Sequence, residues 1–288
     1  LNLHDRERGV DPPEEAAVER VIAAALEEDV GTGDITTLSV VPPDTTCTAV
    51  VIAKEEGIVG GLVVAEKVFR RLDDSVRWRA LVAEGERVEP GCRVAEITGR
   101  ARPILSAERT ALNIVGRISG IATLTSRYVA AAAPWGVKIL DTRKTPPGLR
   151  ALDKYAVRLG GGTNHRAGLY DGVLIKDNHI RIAGSIAKAV EAVRSALGSG
   201  TPVEVEAQTE AEVEEALAAG ADVILLDNMD TALIKRCVRK VAGRAKIEVS
   251  GGMTLEGVRE VASLGVDYIS VGRITHSAPS LDVSMDML

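Results

Sequence analysis

A rhythm in the second half of the chain narrows its possible folds more than any other feature. Short apolar runs at Val137 to Leu140, Gly172 to Ile175, Pro202 to Val205, Asp222 to Leu226, Lys246 to Val249 and Asp267 to Val271 read as strands. Helical periodicity alternates with them, clearest at Ser185 to Leu197, Thr209 to Ala219 and Thr254 to Leu264. Such alternation specifies parallel strands joined by crossover helices. A helix-Gly-x-Asp-strand plan shared by Ala218 to Asn228 and Ser263 to Gly272 reads as a repeated βα unit. An open doubly wound sheet satisfies the same pattern, so the strand ends decide. Asp141-Thr142-Arg143-Lys144 follows the first run, Lys176-Asp177-Asn178 the second, Glu206 the third, Asp227-Asn228 the fourth, Ser250-Gly251-Gly252 the fifth and Gly272 the sixth. Closing a parallel sheet into a ring gathers all these ends around one mouth, whereas a flat sheet gathers only those near its switch point. The fold class expected is α/β, with a small or incomplete parallel β/α barrel of six strands.

The first part is patterned differently. Val18, Val21, Ile22, Ala25 and Leu26 share one stripe of a helix over Glu14 to Val30, which Gly31 and Gly33 stop. Short β-rich runs follow, such as Cys47 to Ala53 and Val76 to Ala83, separated by glycine turns. Glu84 to Gly99 resembles the hairpin of a lipoyl or biotinyl carrier domain, without a lysine at a hairpin tip to carry the group. Only the fold is retained: an N-terminal α+β domain resembling a barrel-sandwich hybrid. Ser106 can cap a long or broken helix through Ala133, with Glu108 in its first turn. The division expected is residues 1–118 for this domain and its bridging helix, 119–272 for the barrel, and 273–288 as a segment returning to the first domain.

Composition excludes several function classes. The 288 residues carry 35 basic against 41 acidic side chains, a net charge of −6, and only 2% aromatics. That balance argues against nucleic acid and anionic membrane as partners. No run approaches the roughly 18 consecutive apolar residues of a membrane span, and the opening segment, Leu1 to Pro13, reads as a frayed polar tail. Cys47, Cys92 and Cys237 form no C-x-x-C pair, so we read them as reduced and buried in a cytoplasmic protein.

In this acidic chain Arg143, Lys144 and Lys176 line the expected mouth, with Arg166 on a connecting loop. Any one of them alone would be read as a surface cation paired with a neighbouring carboxylate. Together they ask for a ligand with more than one anionic group, since arginine's fork suits carboxylate and phosphate and lysine adds a mobile point charge. Ser250-Gly251-Gly252, between a strand and a helix, is where bare backbone N–H groups meet a phosphate, and Gly272 occupies the neighbouring strand end. Gly160-Gly161-Gly162 lacks that context and reads as a bend bringing Asn164-His165-Arg166 to the site. Glu206 and Asp227 could hold a hydrated Mg²⁺, hydrogen-bond a ribose diol, or simply balance the lysines. His165 and His276 could donate to anions; His4 and His179 have no evident partner, and general acid-base work falls to none of the four.

DTRKTPPGLR (141–150), KYAVRLGGGTNHRAGLYDGVLIKDNH (154–179), EVE (204–206), LLDN (225–228), SGG (250–252) and VGRITHS (271–277) closely resemble the quinolinate phosphoribosyltransferase family, as do GDITT (33–37) and LSAERTALNIVGRISGIAT (105–123). The resemblance runs from about Glu14 to the end. It implies that quinolinate and phosphoribosyl pyrophosphate are converted to nicotinate mononucleotide, pyrophosphate and carbon dioxide. Mg²⁺ would be bound with the pyrophosphate, and no organic cofactor is needed. By motif, Arg143, Arg166 and Lys176 would grip the two carboxylates, with Arg109 and His165 completing the pocket. Lys144 would lie near the ribose and pyrophosphate, and Glu206 and Asp227 would face the ribose and its Mg²⁺. Ser250, Gly251, Gly252 and Gly272 would cradle the 5-phosphate, and Thr142, Val271 and His276 are further residues expected to bind substrate. Lys144, Lys176, Glu206 and Asp227 form the catalytic set so implied. The family is dimeric, and Arg109 is expected to enter the neighbouring subunit's site. The rivals are a related pyrophosphorylase acting on another anion, such as one encoded beside molybdate transport genes, and a nonenzymatic sensor of phosphorylated metabolites.

Overall fold

A computed structural model describes residues 10–288. Of the tail expected at Leu1 to Pro13, residues 1–9, His4 among them, lie outside the described residues. The Asp11 carbonyl accepts a hydrogen bond from Arg158 at 2.9 Å, so this end of the tail is tied down. By packing, the described chain forms two compact units, one of residues 127–144 and 162–273, the other of the remainder. Thr145 to Gly161, which follows the first barrel strand in sequence, therefore groups with the N-terminal residues.

That N-terminal unit begins with helix α1 (Glu15–Asp29), whose buried stripe is Val18, Ile22 and Leu26. Helix α2 (Ile35–Val40) is capped by Asp34 accepting from the Thr37 N–H. Next come β1 (Thr46–Ala53), β2 (Gly57–Ile58), α3 (Leu62–Leu72), β3 (Arg77–Ala80), β4 (Arg87–Val88) and β5 (Arg93–Arg100). The expected Glu84 to Gly99 hairpin does not form: β4 pairs with β2, while β5 lies antiparallel between β1 and β3. Helix α3 interrupts a stretch read as β-rich, because Gly61 at φ 88 turns the chain and an apolar stripe from Leu62 to Phe69 is buried. Helix α4 (Ala101–Ala132) starts before the expected Ser106 cap. Pro103 in its first turn costs no hydrogen bond there, and the Ser106 hydroxyl instead donates to Asp34.

Small residues give α4 its packing role. A Cβ on Gly120 would stand 1.9 Å from the Pro279 carbonyl oxygen, and one on Gly116 2.9 Å from that of Leu281. These glycines admit the terminal segment against the helix, and the Leu281 N–H donates to the Gly116 carbonyl at 2.9 Å.

The second unit carries the rhythm read from the sequence. Along the chain run β6 (Lys138–Leu140), α5 (Arg150–Leu159), β7 (Val173–Ile175), α6 (Asp177–Ala183), α7 (Ile186–Leu197), β8 (Val203–Ala207), α8 (Glu210–Ala218), β9 (Val223–Asp227), α9 (Thr231–Val241), β10 (Lys246–Ser250), α10 (Leu255–Ala262) and β11 (Tyr268–Ser270). Of these, α5 packs with the first unit. Short α11 (Arg273–His276) leads to β12 (Val283–Met287), which pairs antiparallel with β1. The six parallel strands are ordered β6-β11-β10-β9-β8-β7, the chain order taken around a ring that is open between β6 and β7. Thr163 partly fills the gap, bridging in parallel to Leu140. The unit is thus the incomplete barrel expected. Its helices begin on sound caps, with Ser185, Thr209, Asp230 and Thr254 each accepting a backbone N–H. No helix among the described residues is long and apolar enough to cross a membrane. All three cysteines are free, but only Cys237 is buried; Cys47 and Cys92 are half-buried.

Candidate active site

Parallel register puts the chain segments singled out above on one rim. Asp141 follows β6, Lys176 follows β7, Glu206 is the penultimate residue of β8, Asp227 and Ser250 end β9 and β10, and Gly272 lies just past β11. Asp227 and Ser250 are register partners, as are Glu206 and Leu225. Thr142, Arg143, Lys144, His165, Arg166 and Val271 belong to the same compact unit, whereas Arg109 and His276 belong to the other.

Buried Asp141 organises the cationic loop. Its carboxylate accepts from Asn164 Nδ2 at 2.7 Å and from the His165 N–H at 2.8 Å, tying the segment that carries Arg143 to the one that carries Arg166. On the Arg166 side, Nη1 donates to the Gly172 carbonyl at 3.1 Å, and Asp171 closes the loop by accepting from Ala167 and Gly168. Burial, and then the Arg143 charge, lower the pKa of Arg166. Two guanidinium groups held close enough to repel are stabilised by an anion between them. Lys144 is exposed, and its N–H donates to Thr142 Oγ1. Lys176 Nζ pairs with buried Glu206 at 2.6 Å. His179, for which spacing offers no partner, accepts the Lys176 N–H on Nδ1 at 2.9 Å and so fixes the start of α6.

Two further carboxylates lie inside the ring, neither of them among the site residues expected from the sequence. Glu204 on β8 and Glu248 on β10 are 6% and 1% exposed. Burial raises Glu204 to about 7, and burial with the neighbouring Glu204 charge raises Glu248 to about 8, although Arg166 and Lys176 favour the ionised Glu204. Glu204 had a visible signal: Val203-Glu204-Val205-Glu206 alternates, so both acids face one side of the sheet. His165 Nε2 stands 3.0 Å from Glu204 Oε2 and 3.6 Å from Glu248 Oε2. Among the described residues these three are the one acid-histidine group with ligand atoms mutually within 4.8 Å. Its imidazole suits a softer ion than Mg²⁺, whereas the all-oxygen pair of Glu206 and Asp227 suits Mg²⁺ held through water.

The glycine turn after β10 is built for close approach. Gly251 has φ 112, and a Cβ there would lie 2.3 Å from Asn228 Oδ1; Gly252 has φ 54 and open space where its Cβ would be. Asn228, itself at φ 54, donates its N–H to the Ser250 carbonyl and its Nδ2 to Asp227, locking the ends of β9 and β10 together. Backbone N–H groups in such a turn ahead of α10 can face a phosphate.

Comparison with known proteins gives a consistent answer. Residues 34–119 match the family model described as quinolinate phosphoribosyl transferase, N-terminal domain, and residues 121–286 match the C-terminal domain of the same family. A Bacillus subtilis protein named "Probable nicotinate-nucleotide pyrophosphorylase [carboxylating]" is 46% identical over 90% of this chain and 90% of its own length. The chloroplastic carboxylating nicotinate-nucleotide pyrophosphorylase of Arabidopsis thaliana is 42% identical over 96% of this chain and 85% of its own. A solved nicotinate-nucleotide pyrophosphorylase structure from Francisella tularensis superposes with a TM-score of 0.92 at 40% identity, covering 98% of this chain and all of that one.

Proposed function

This chain belongs to the quinolinate phosphoribosyltransferase family and converts quinolinate to nicotinate mononucleotide in NAD biosynthesis, and from that premise we propose how its residues do so. Arg143, Arg166 and Lys176 hold the two quinolinate carboxylates, with Thr142 beside them. The observation that carries this assignment is buried Asp141, which joins its own loop, carrying Arg143, to the loop carrying Arg166 by accepting from Asn164 Nδ2 and the His165 N–H. Ser250, Gly251, Gly252, Val271 and Gly272 take the 5-phosphate, while Glu206 and Asp227 face the ribose. Glu206 and Asp227 would hold Mg²⁺ through water, because Lys176 already pairs with Glu206, and the ion would supply positive charge to the pyrophosphate leaving group.

The reaction is a displacement at the anomeric carbon: the pyridine nitrogen attacks as the C–O bond to pyrophosphate breaks. Lys144 and Lys176 supply positive charge to the anionic partners, and the clamped carboxylates hold the nitrogen in line. Once the ring nitrogen is quaternary, its positive charge stabilises the electron pair left on C2 when the adjacent carboxylate departs as carbon dioxide, and that pair then takes up a proton at C2. No histidine is needed as a general base.

Two further proposals follow from the family. The protein is a cytoplasmic homodimer, and Arg109 and His276 are further substrate-binding residues, Arg109 entering the site of the neighbouring subunit. Supporting this, Arg109 is exposed and lines a cavity of 310 Å³ with Leu112, Asn113 and Leu281.

Incubating the protein with quinolinate, phosphoribosyl pyrophosphate and Mg²⁺ tests the activity, with nicotinate mononucleotide and carbon dioxide formed in equal amounts as the expected result. Subunit exchange between Arg109→Ala and Arg143→Ala proteins tests the shared site. If Arg109 acts across the dimer, an equal mixture regains about a quarter of the wild-type sites, because half the dimers are hybrids with one intact site each. No recovery after verified exchange would place Arg109 within its own subunit or outside the site.

A further inference from the structure

Both ring nitrogens of His165 are engaged by the protein. Nδ1 accepts the Arg166 backbone N–H at 2.8 Å, so it carries no proton. Nε2 is then the protonated nitrogen, and it points at Glu204 Oε2, 3.0 Å away. A ring in this tautomer has no N–H left for a substrate carboxylate. The residue it supports does, since Arg166 brings a whole guanidinium.

We infer that His165 is a positioning residue, which fixes the main chain of Arg166 between Asp141 and Glu204 so that Arg166, and not His165, meets the quinolinate carboxylate. The inference rests on the role proposed above for Arg166. Its geometry is over-determined: the His165 N–H is held by Asp141 at 2.8 Å, the Arg166 N–H by the imidazole, and the Arg166 side chain by Gly172. The imidazole in turn is anchored on an acid of β8 that is itself buried. Imidazole ligands whose second nitrogen is held by a carboxylate show the same logic of fixed tautomer and orientation. This revises the expectation that His165 donates to an anion directly.

Nitrogen-15 NMR of histidine-labelled full-length protein reads the tautomer. The expected spectrum shows His165 as the neutral Nε2–H form, unchanged at saturating quinolinate. Conversion to the imidazolium or to the Nδ1–H form on adding quinolinate would overturn the inference. Two substitutions then separate the nitrogens, since asparagine places its oxygen near Nδ1 and glutamine places its amide near Nε2. We expect His165→Asn to keep the KM for quinolinate within about three-fold of wild type and His165→Gln to raise it about ten-fold, the cost of an unsatisfied Arg166 N–H. The KM for phosphoribosyl pyrophosphate stays unchanged in both. Any other ranking, equal losses included, counts against positioning through Arg166. Arg166→Ala measured alongside isolates the premise: an unaltered quinolinate KM there removes the role of Arg166 while leaving the tautomer result intact.

Discussion

Asp153 and Glu248 are buried acids in different compact units, and their surroundings could hardly differ more. Asp153, on α5, is fully buried and accepts two bonds from Arg117 of α4, Nε to Oδ1 and Nη2 to Oδ2, each 2.8 Å. Arg117 also donates to the Thr275 carbonyl. Among the described residues Glu248, in the barrel, has no hydrogen-bond partner on either carboxylate oxygen, and Glu204 has none on Oε1. A charge paired in this two-point geometry serves the fold; a buried carboxylate without such a pair marks where the fold gives up stability to hold chemistry. The sheets around them agree. The antiparallel sheet buries Ala49, Val51, Ala95 and Ile97, while the barrel strands bury Glu204, Glu206 and Glu248.

The sharpest way to break this contrast is to remove the Asp153 partner. Arg117→Ala should destabilise the protein by about 3–5 kcal/mol, the usual cost of stranding one half of a buried ion pair. Denaturant unfolding measures it, and the KM for quinolinate of the folded fraction should not change. A loss below about 1 kcal/mol would mean that water replaces the guanidinium, as at an ordinary surface pair. On the barrel side the cations should behave oppositely. Arg143→Ala should leave the unfolding midpoint within experimental scatter yet weaken quinolinate binding by about 2–3 kcal/mol, one charged hydrogen-bond partner lost. Titration calorimetry with quinolinate reads it, and unchanged affinity would remove Arg143 from the carboxylate pocket.

The same contrast explains which parts were legible beforehand. Six strands with regular crossovers leave a periodic trace, so β6 to β11 stand within a few residues of the expected runs. The N-terminal unit leaves less: β2 and β4 are two residues each and pair with one another, which no local pattern reveals. Helix α3 carries Val63, Val64 and Val68 after two glycines and so resembled a strand; its burial comes from tertiary packing. At the site, rim residues were visible because charge at a strand end is conspicuous against an apolar run. Asp141 was seen only as part of a motif, and its task of joining two loops depends on Asn164 and His165 being brought to it. The two nitrogens of His165 could not be assigned from spacing, because their partners are the next backbone N–H and an acid 39 residues away.

The smallest effect expected is also the most specific to the barrel. Glu248 titrates near 8 in the folded protein against about 4.5 for an exposed glutamate. Between those values the folded state binds more protons than the unfolded one, so stability falls as pH rises and levels off above the folded value. Glu204, raised to about 7, adds to the same slope. Glu248→Gln keeps the shape and removes one titrating group. Relative to wild type, it should gain on the order of 2 kcal/mol of stability between pH 5 and pH 7, since a tenfold change in acid dissociation is worth about 1.4 kcal/mol. Asp153 is also raised, burial outweighing Arg117, so it adds to the same fall; Asp153→Asn should nevertheless lose stability across the whole range, because it leaves the Arg117 guanidinium without its carboxylate. Unfolding midpoints at pH 5, 6 and 7 for the two variants decide the matter. Parallel pH curves for wild type and Glu248→Gln would mean that water or an ion already neutralises the glutamate, and that the barrel interior is no less compensated than the α4–α5 pair.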